Sequence, residues 1–160
     1  PLVVPVSYGA LTRRGLLDRL SRVARAALHE AQEVGQISLR SAPKGIVHRG
    51  FAFVSVSSRD AGGRPRPGEV IIKEHTVTLR YAHRLSPHDQ AGGRREATDA
   101  IDALELALRN STDRDATAGE VVGFSSTEQQ SRSLEWLVYD CIVTVRSLFQ
   151  LQAPTAGAAA

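Results

Sequence analysis

The closing stretch "LEWLVYDCIVTVRSLFQL", Leu134 to Leu151, constrains the fold more than any other part of the chain. Leu137, Tyr139, Cys141, Val143 and Val145 alternate with Val138, Asp140, Ile142, Thr144 and Arg146. A period of two belongs to a β-strand, whose successive side chains point to opposite faces. The first set is apolar, so that face has to be buried. The second set carries Asp140, Thr144 and Arg146, but Trp136, Val138 and Ile142 make it partly apolar as well. The run exceeds the roughly 5–6 residues of an ordinary strand, and a bend or a protruding ribbon is expected. A chain with this ending must build a sheet and must cover at least one of its sides.

Two segments have the pattern needed for that cover. From Thr12, the residues Leu16, Leu20, Val23, Ala27, Ala31 and Val34 recur at spacings of three and four, with Leu17, Ala24 and Leu28 beside them. Arg14, Asp18, Arg22, Arg25 and His29 fall on the other side. This spacing predicts one amphipathic helix of about six turns. Thr12 is placed to cap it, and Gly35 to end it in a left-handed conformation. The Arg14, Arg22 and Arg25 side is read as solvated, with Asp18 able to pair with Arg22. A second helix is predicted over about Arg94 to Arg109, with Ala97, Ile101, Leu104 and Leu108 in one stripe. Thr98 either caps it or lies inside a helix that starts a turn earlier, and Asn110 can stop it.

The remaining strands follow from composition and alternation. A short strand is expected at Gln36 to Leu39, and "FAFVSVSS" (Phe51 to Ser58) is rich in β-formers. In "EVIIKEHTVTLRYAHRL" the residues Val77, Leu79, Tyr81 and His83 alternate with Thr78, Arg80 and Ala82. Arg59 to Glu69, with two prolines that cannot donate to a ladder, reads as a long hairpin loop. "EVVGFSS" is a further strand and "TEQQSRS" a polar loop. The order α-β-β-α-β-β predicts an α+β domain: a single antiparallel or mixed sheet with both helices packed on one face. The opposite face must then be polar, or covered by something else. Residues 1–11 are expected to form an extended arm, 12–152 the single domain and 153–160 a flexible tail.

Composition narrows the function. The chain has 160 residues, 42% hydrophobic and 23% charged, as in ordinary globular domains. No apolar run approaches the roughly 18 residues needed to span a bilayer, so no membrane partner is expected. The single cysteine, Cys141, excludes an internal disulfide framework and suits a reducing compartment. The start at Pro1, with no methionine anywhere, fits removal of an initiator before a small residue, and a native N-terminus is expected. The net charge of +3 comes from 20 basic residues, nearly all arginine, against 17 acidic ones. With aromatics at only 5%, the interleaved basic and aromatic pattern of a dedicated nucleic-acid binder is missing.

The stretch most suggestive of chemistry is "YAHRLSPHDQ", Tyr81 to Gln90. His83, His88 and Asp89 could supply three metal ligands, but neither a helical His pair nor a cysteine pair supports them. Ser86-Pro87 reads instead as a turn ending a strand, with Asp89 capping a short turn beyond it. Cys141, in mid-strand on the apolar face, behaves as a small hydrophobe. "AGGRR" (Ala91 to Arg95) lacks the Gly-Lys-Ser/Thr of a phosphate loop and reads as a flexible approach to a helix. No catalytic residue, metal ligand or cofactor site is therefore expected. Candidate contact residues are Val3, Val4, Val6 and Tyr8 of the arm, Arg59, Arg64 and Arg66 of the loop, and Trp136. The arm is either a strap over its own core or a contact to a neighbouring subunit. The loop is either a solvated hairpin or a partner-binding finger that orders on contact.

The succession of leading helix, hairpin with a long loop, "YAHRLSPHDQ", "EATDAIDALELALRN" and closing "EWLVYDCIVTVRSLFQL" resembles the tail terminator (tail completion) proteins of tailed bacteriophages and phage-like particles. The resemblance covers about Thr12 to Leu151. It implies a structural virion protein without enzymatic activity, assembled in the host cytoplasm. Copies would form a hexameric ring on the tail tube, end its polymerisation and face the head's connector or neck proteins. DNA would meet such a ring only in passing through it. A neck or head-completion protein is the alternative, and a small metal-dependent hydrolase a distant third.

Overall fold

Every strand of the sheet is arranged around the segment whose alternation runs through Val77, Leu79, Tyr81 and His83. The computed structural model describes residues 13–61, 70–110 and 120–150, and the side chains of all these except 70, 71 and 148–150. Within them lie α1 (Arg13–Ala27), β1 (Gln32–Glu33), β2 (Arg49–Asp60), β3 (Val70–Arg84), α2 (Gln90–Arg109), β4 (Glu120–Gln129) and β5 (Trp136–Gln150). The sheet order is β1-β2-β3-β5-β4, with β1 parallel to β2 and every other pair antiparallel. The fold is thus the expected α+β layer pair, a five-stranded mixed sheet with two helices.

Both helices lie on one sheet face. Leu16, Leu20, Ala24 and Leu28 share a single buried cluster with Ala97, Ile101, Leu104 and Leu108. The strands contribute Phe51 from β2, Val77, Leu79 and Tyr81 from β3, and Leu137, Cys141, Val143 and Val145 from β5. The alternation legible in β3 and β5 is therefore the alternation of one buried face. β5 runs its whole length against β3, from Val70↔Gln150 to Arg84↔Trp136, with no register shift. The irregularities expected of so long a strand sit in its neighbourhood instead, at Phe53/Ser55 in β2 and Val121/Gly123 in β4.

Among the described residues the opposite face is covered at one end only. Ile37, Ile46, Ala52, Ala82, Trp136 and Val138 form a second buried cluster, with Val34 and Leu39 packed against it. The strand expected at Gln36 to Leu39 is not formed; the segment after β1 folds across the sheet, and Ile37 is buried beneath it. Gly50 permits this approach. A Cβ there would meet the Ile46 side chain and stand 2.9 Å from the Gln32 carbonyl oxygen.

Four other expectations need correction. α1 ends at Ala27 rather than near Gly35, because Glu30 takes the left-handed conformation (φ 62°) and turns the chain so that β1 can reach β2. α2 begins at Gln90, so "AGGRR" belongs to its first turns. Asp89 caps it by accepting from the Gly92 amide at 2.9 Å, and Thr98 lies inside, donating to the Arg94 carbonyl. A side chain at position 92 would collide with the Asp89 carboxylate, which is why glycine suits it. The residues Thr127 to Gln129, read as loop, complete β4 against Tyr139 and Val138. Arg59 and Asp60, read as the start of a loop, are the last two residues of β2, paired with Glu74 and Lys73. The strands continue there because Arg59 finds a carboxylate opposite it.

Candidate functional site

The "YAHRLSPHDQ" stretch divides into structural parts. His83 closes the buried face of β3, 3% exposed, with Nδ1 2.9 Å from the Tyr81 hydroxyl. Its Nε2 lies 3.5 Å from Glu96 of α2, which Arg49 also approaches at 3.4 Å. Burial, aided by the Arg49 charge, pushes the His83 imidazole below its usual pKa, against the opposing pull of Glu96. His88 is exposed in the turn, and Asp89 is occupied as the helix cap. Among the described residues no group of three or more His, Cys, Asp or Glu side chains is arranged to hold a metal ion.

A second buried histidine had escaped the sequence reading, which began the alternation of β3 at Val77. His75 continues it by one step, 2% exposed, with Nδ1 2.7 Å from Ser58 Oγ and Nε2 3.1 Å from Ser147 Oγ. The period of two, extended outward, was the available signal. Both ring nitrogens are engaged and the ring itself is buried, which suits cross-linking of β2, β3 and β5 better than proton transfer to a ligand. Burial first, and the charges of Lys73 and Arg13 next, hold its pKa below the ordinary value. Cys141 is fully buried, and burial pushes its thiol up to about 12, so it stays protonated and inert.

These histidines set an acid dependence. Each favours the neutral ring in the folded state, whereas the unfolded chain titrates at about 6.5. The unfolded state then binds more protons below that value, and stability falls as pH drops through it. Urea midpoints are expected to decline from pH 7.5 to pH 5.5, above the range where carboxylates of the unfolded chain protonate. The H75Q/H83Q double variant should flatten that decline; an unchanged slope would refute the assignment.

The surface left open is the uncovered part of the sheet and its two edges. Centrally it is hydroxyl-rich, with Ser57, Thr76 and Thr144 in one row and Ser55, Thr78 and Ile142 in another. Val54, Ile72 and Ile142 are exposed. Nearer the strand ends a single row crosses the whole sheet: Arg59 of β2, Glu74 of β3, Arg146 of β5 and Glu120 of β4. Arg59 Nη2 is 2.7 Å from Glu74 Oε1, and Arg146 Nε is 3.3 Å from Glu74 Oε2. The Arg59 hydrogen bonds are the largest cause of the lowered Glu74 pKa; partial burial opposes it and Arg146 assists. Charges of opposite sign on directly opposed strands support the pairing.

Among the described residues both edges of the sheet offer backbone. β1 covers β2 only at Gly50 and Phe51. Among the described residues no strand pairs with the outer side of β4. Unpaired strand edges are ready templates for another strand.

Of the contact residues expected from sequence, Arg59 stands on this open face. Trp136 does not: it is 7% exposed and packs in the second cluster. Val3, Val4, Val6, Tyr8, Arg64 and Arg66 lie outside the described residues. On α1, Arg25 reaches back to Glu33, its Nε 3.1 Å from the carboxylate, to which Ser21 also donates. Burial works to raise the Glu33 pKa, yet these hydrogen bonds bring it below the usual range.

Comparison with solved structures shows likeness to a virion chain. A chain from the virion of a native gene transfer agent (GTA) particle is similar over 89% of this chain and 91% of its own, with 16% identity and a TM-score of 0.48. No protein-family model matches the sequence. No curated protein matches it either.

Proposed function

We propose that the chain is a structural virion protein that forms a ring, caps a tail tube, ends its polymerisation and joins the tail to the head or neck. The observation that carries this reading is the element succession of helix, hairpin, helix and hairpin, with the phrases noted above, over nearly the whole chain. The surface is compatible with it. The groups suggestive of chemistry are paired for structural purposes, while among the described residues part of a sheet face and both sheet edges stay open for contact. A heterologous contact that closes on itself is self-limiting, which is the property needed to stop a growing tube. The partners in this reading are further copies of the chain, the tube protein and the connector or neck proteins. Its place is the head–tail junction of the virion, where DNA passes through the ring without being read.

The test is particle morphology. Loss of the protein is expected to give overlong tubes that fail to join heads, and imaging of intact particles to show a ring of it at the junction. Free tails of correct length with leaking heads would assign it to the neck instead. Its absence from the junction, or a single copy there, would overturn the ring.

A further inference from the structure

We propose that copies of this chain join edge to edge, the outer side of β4 in one copy pairing with the free part of β2, Ala52 to Arg59, in the next. This deepens the ring reading and rests on it, but names the surface and the residues that make it. Three observations point the same way. The first is strand direction. β2, β3, β5 and β4 alternate in direction, each pair being antiparallel, so β4 runs opposite to β2. A copy set beside another by simple rotation therefore presents its β2 antiparallel to the neighbour's β4, the arrangement that an antiparallel ladder requires. The helices of every copy then lie on the same side of the extended sheet.

The second observation is which backbone is open among the described residues. β1 occupies β2 only at Gly50 and Phe51, level in the sheet with Gln129 and Glu128 of β4. The portion of β2 beyond β1, Ala52 to Arg59, is level with Glu120 to Thr127 of β4. The two free edges thus match in position as well as in direction. Neither contains proline, so neither is blocked from donating to a ladder.

The third is charge. The row Arg59, Glu74, Arg146, Glu120 alternates in sign across the sheet and ends in an arginine on one edge and a glutamate on the other. Edge-to-edge contact places Arg59 of one copy against Glu120 of the next and continues the alternation without a break. The two residues are level, so this contact needs no displacement along the strands. A rotation without translation closes into a ring, whereas a shifted contact would climb into a filament. An isologous pairing of β4 with the β4 of a second copy would leave Arg59 out of the contact altogether.

The experiment uses the full chain and its R59E and E120R variants, followed by sedimentation velocity over a concentration series. Each variant alone sets like charges across the contact and is expected to assemble at least about tenfold more weakly than the natural chain. An equal mixture of the two restores opposite charges at every contact when copies alternate, and should assemble like the natural chain. So should the R59E/E120R double variant. Thermal melting checks that each variant is folded, since R59E sits beside Glu74 and E120R beside Arg146. Should either reversal unfold, R59Q and E120Q, which remove one charge without adding another, are expected to weaken assembly about threefold. Rings that form equally well from every variant would overturn the edge pairing and leave the ring standing. A mixture that stays as weak as its components would overturn it too. A natural chain that stays monomeric at its highest soluble concentration overturns the pairing, and the ring then depends on particle imaging alone.

Discussion

Replacing Tyr81 by alanine is expected to remove about 3–5 kcal/mol of stability, the range for deleting a fully buried aromatic side chain. Tyr81 is completely buried in the central strand, between Phe51 of β2 and Tyr139 of β5. It belongs to the cluster that both helices seal, so its removal leaves a cavity that strands held on both sides cannot close. Y81F separates packing from polarity. It retains the ring and deletes only the hydroxyl that meets His83 Nδ1 at 2.9 Å, leaving a buried nitrogen without that partner, at about 1–2 kcal/mol. Burial, opposed by the Arg49 charge and assisted by Glu96, pushes the Tyr81 hydroxyl up to about 12, so it remains a donor throughout the neutral range. A neutral His83 then accepts at Nδ1 and keeps its proton on Nε2, toward Glu96. Urea unfolding of both variants checks the division. Equal losses in the two would mean that the ring contributes nothing by packing, contrary to its burial.

The same residues explain what could be read from the sequence. A period of two in Val77, Leu79, Tyr81 and His83, and again in Leu137 to Val145, reports burial of one face directly, because a strand's side chains alternate whatever the strand pairs with. The stripe through Ala97, Ile101, Leu104 and Leu108 does the same for α2. The helix limits were less legible, since they depend on partners distant in sequence. α1 stops at Ala27 so that β1 can lie beside Gly50 and Phe51, and nothing between Leu28 and Gly35 announces that pairing. Asp89 and Gly92 look like turn residues until the carboxylate is seen to accept a free amide of the helix's first turn. At the candidate contact surface, Arg59 gave a charge but not its neighbours. Its partner Glu74, and Arg146 and Glu120 further along the row, come together only when four strands are set in register. Trp136 resembled an exposed contact because the segment that buries it, around Ile37 and Ile46, has no periodicity of its own.

That covering segment is fixed to the sheet by Arg80, and R80A is expected to destabilise the protein by about 2–4 kcal/mol. The guanidinium binds Asp140 twice, Nε to Oδ1 at 2.7 Å and Nη2 to Oδ2 at 3.0 Å, and donates through Nη1 to the Ile37 carbonyl at 3.0 Å. Arg80 and Asp140 face each other across β3 and β5, with side chains 16% and 15% exposed. Removing the arginine leaves a carboxylate and a carbonyl oxygen under partial cover with no equivalent donor. That is why the loss should exceed the few tenths of a kcal/mol expected for a surface pair. Replacing both partners, as in R80M/D140L, removes the stranded charge together with the pair and is expected to recover most of the loss. The non-additivity of the single and double variants measures the coupling. Hydrogen exchange supplies a local readout, because R80A should expose the amide of Val34, which donates to the Phe51 carbonyl at 3.0 Å, sooner than amides in the middle of β5. An R80A protein with natural stability and unchanged exchange at Val34 would show that apolar contacts of Ile37, Ile46 and Trp136 hold the cover unaided.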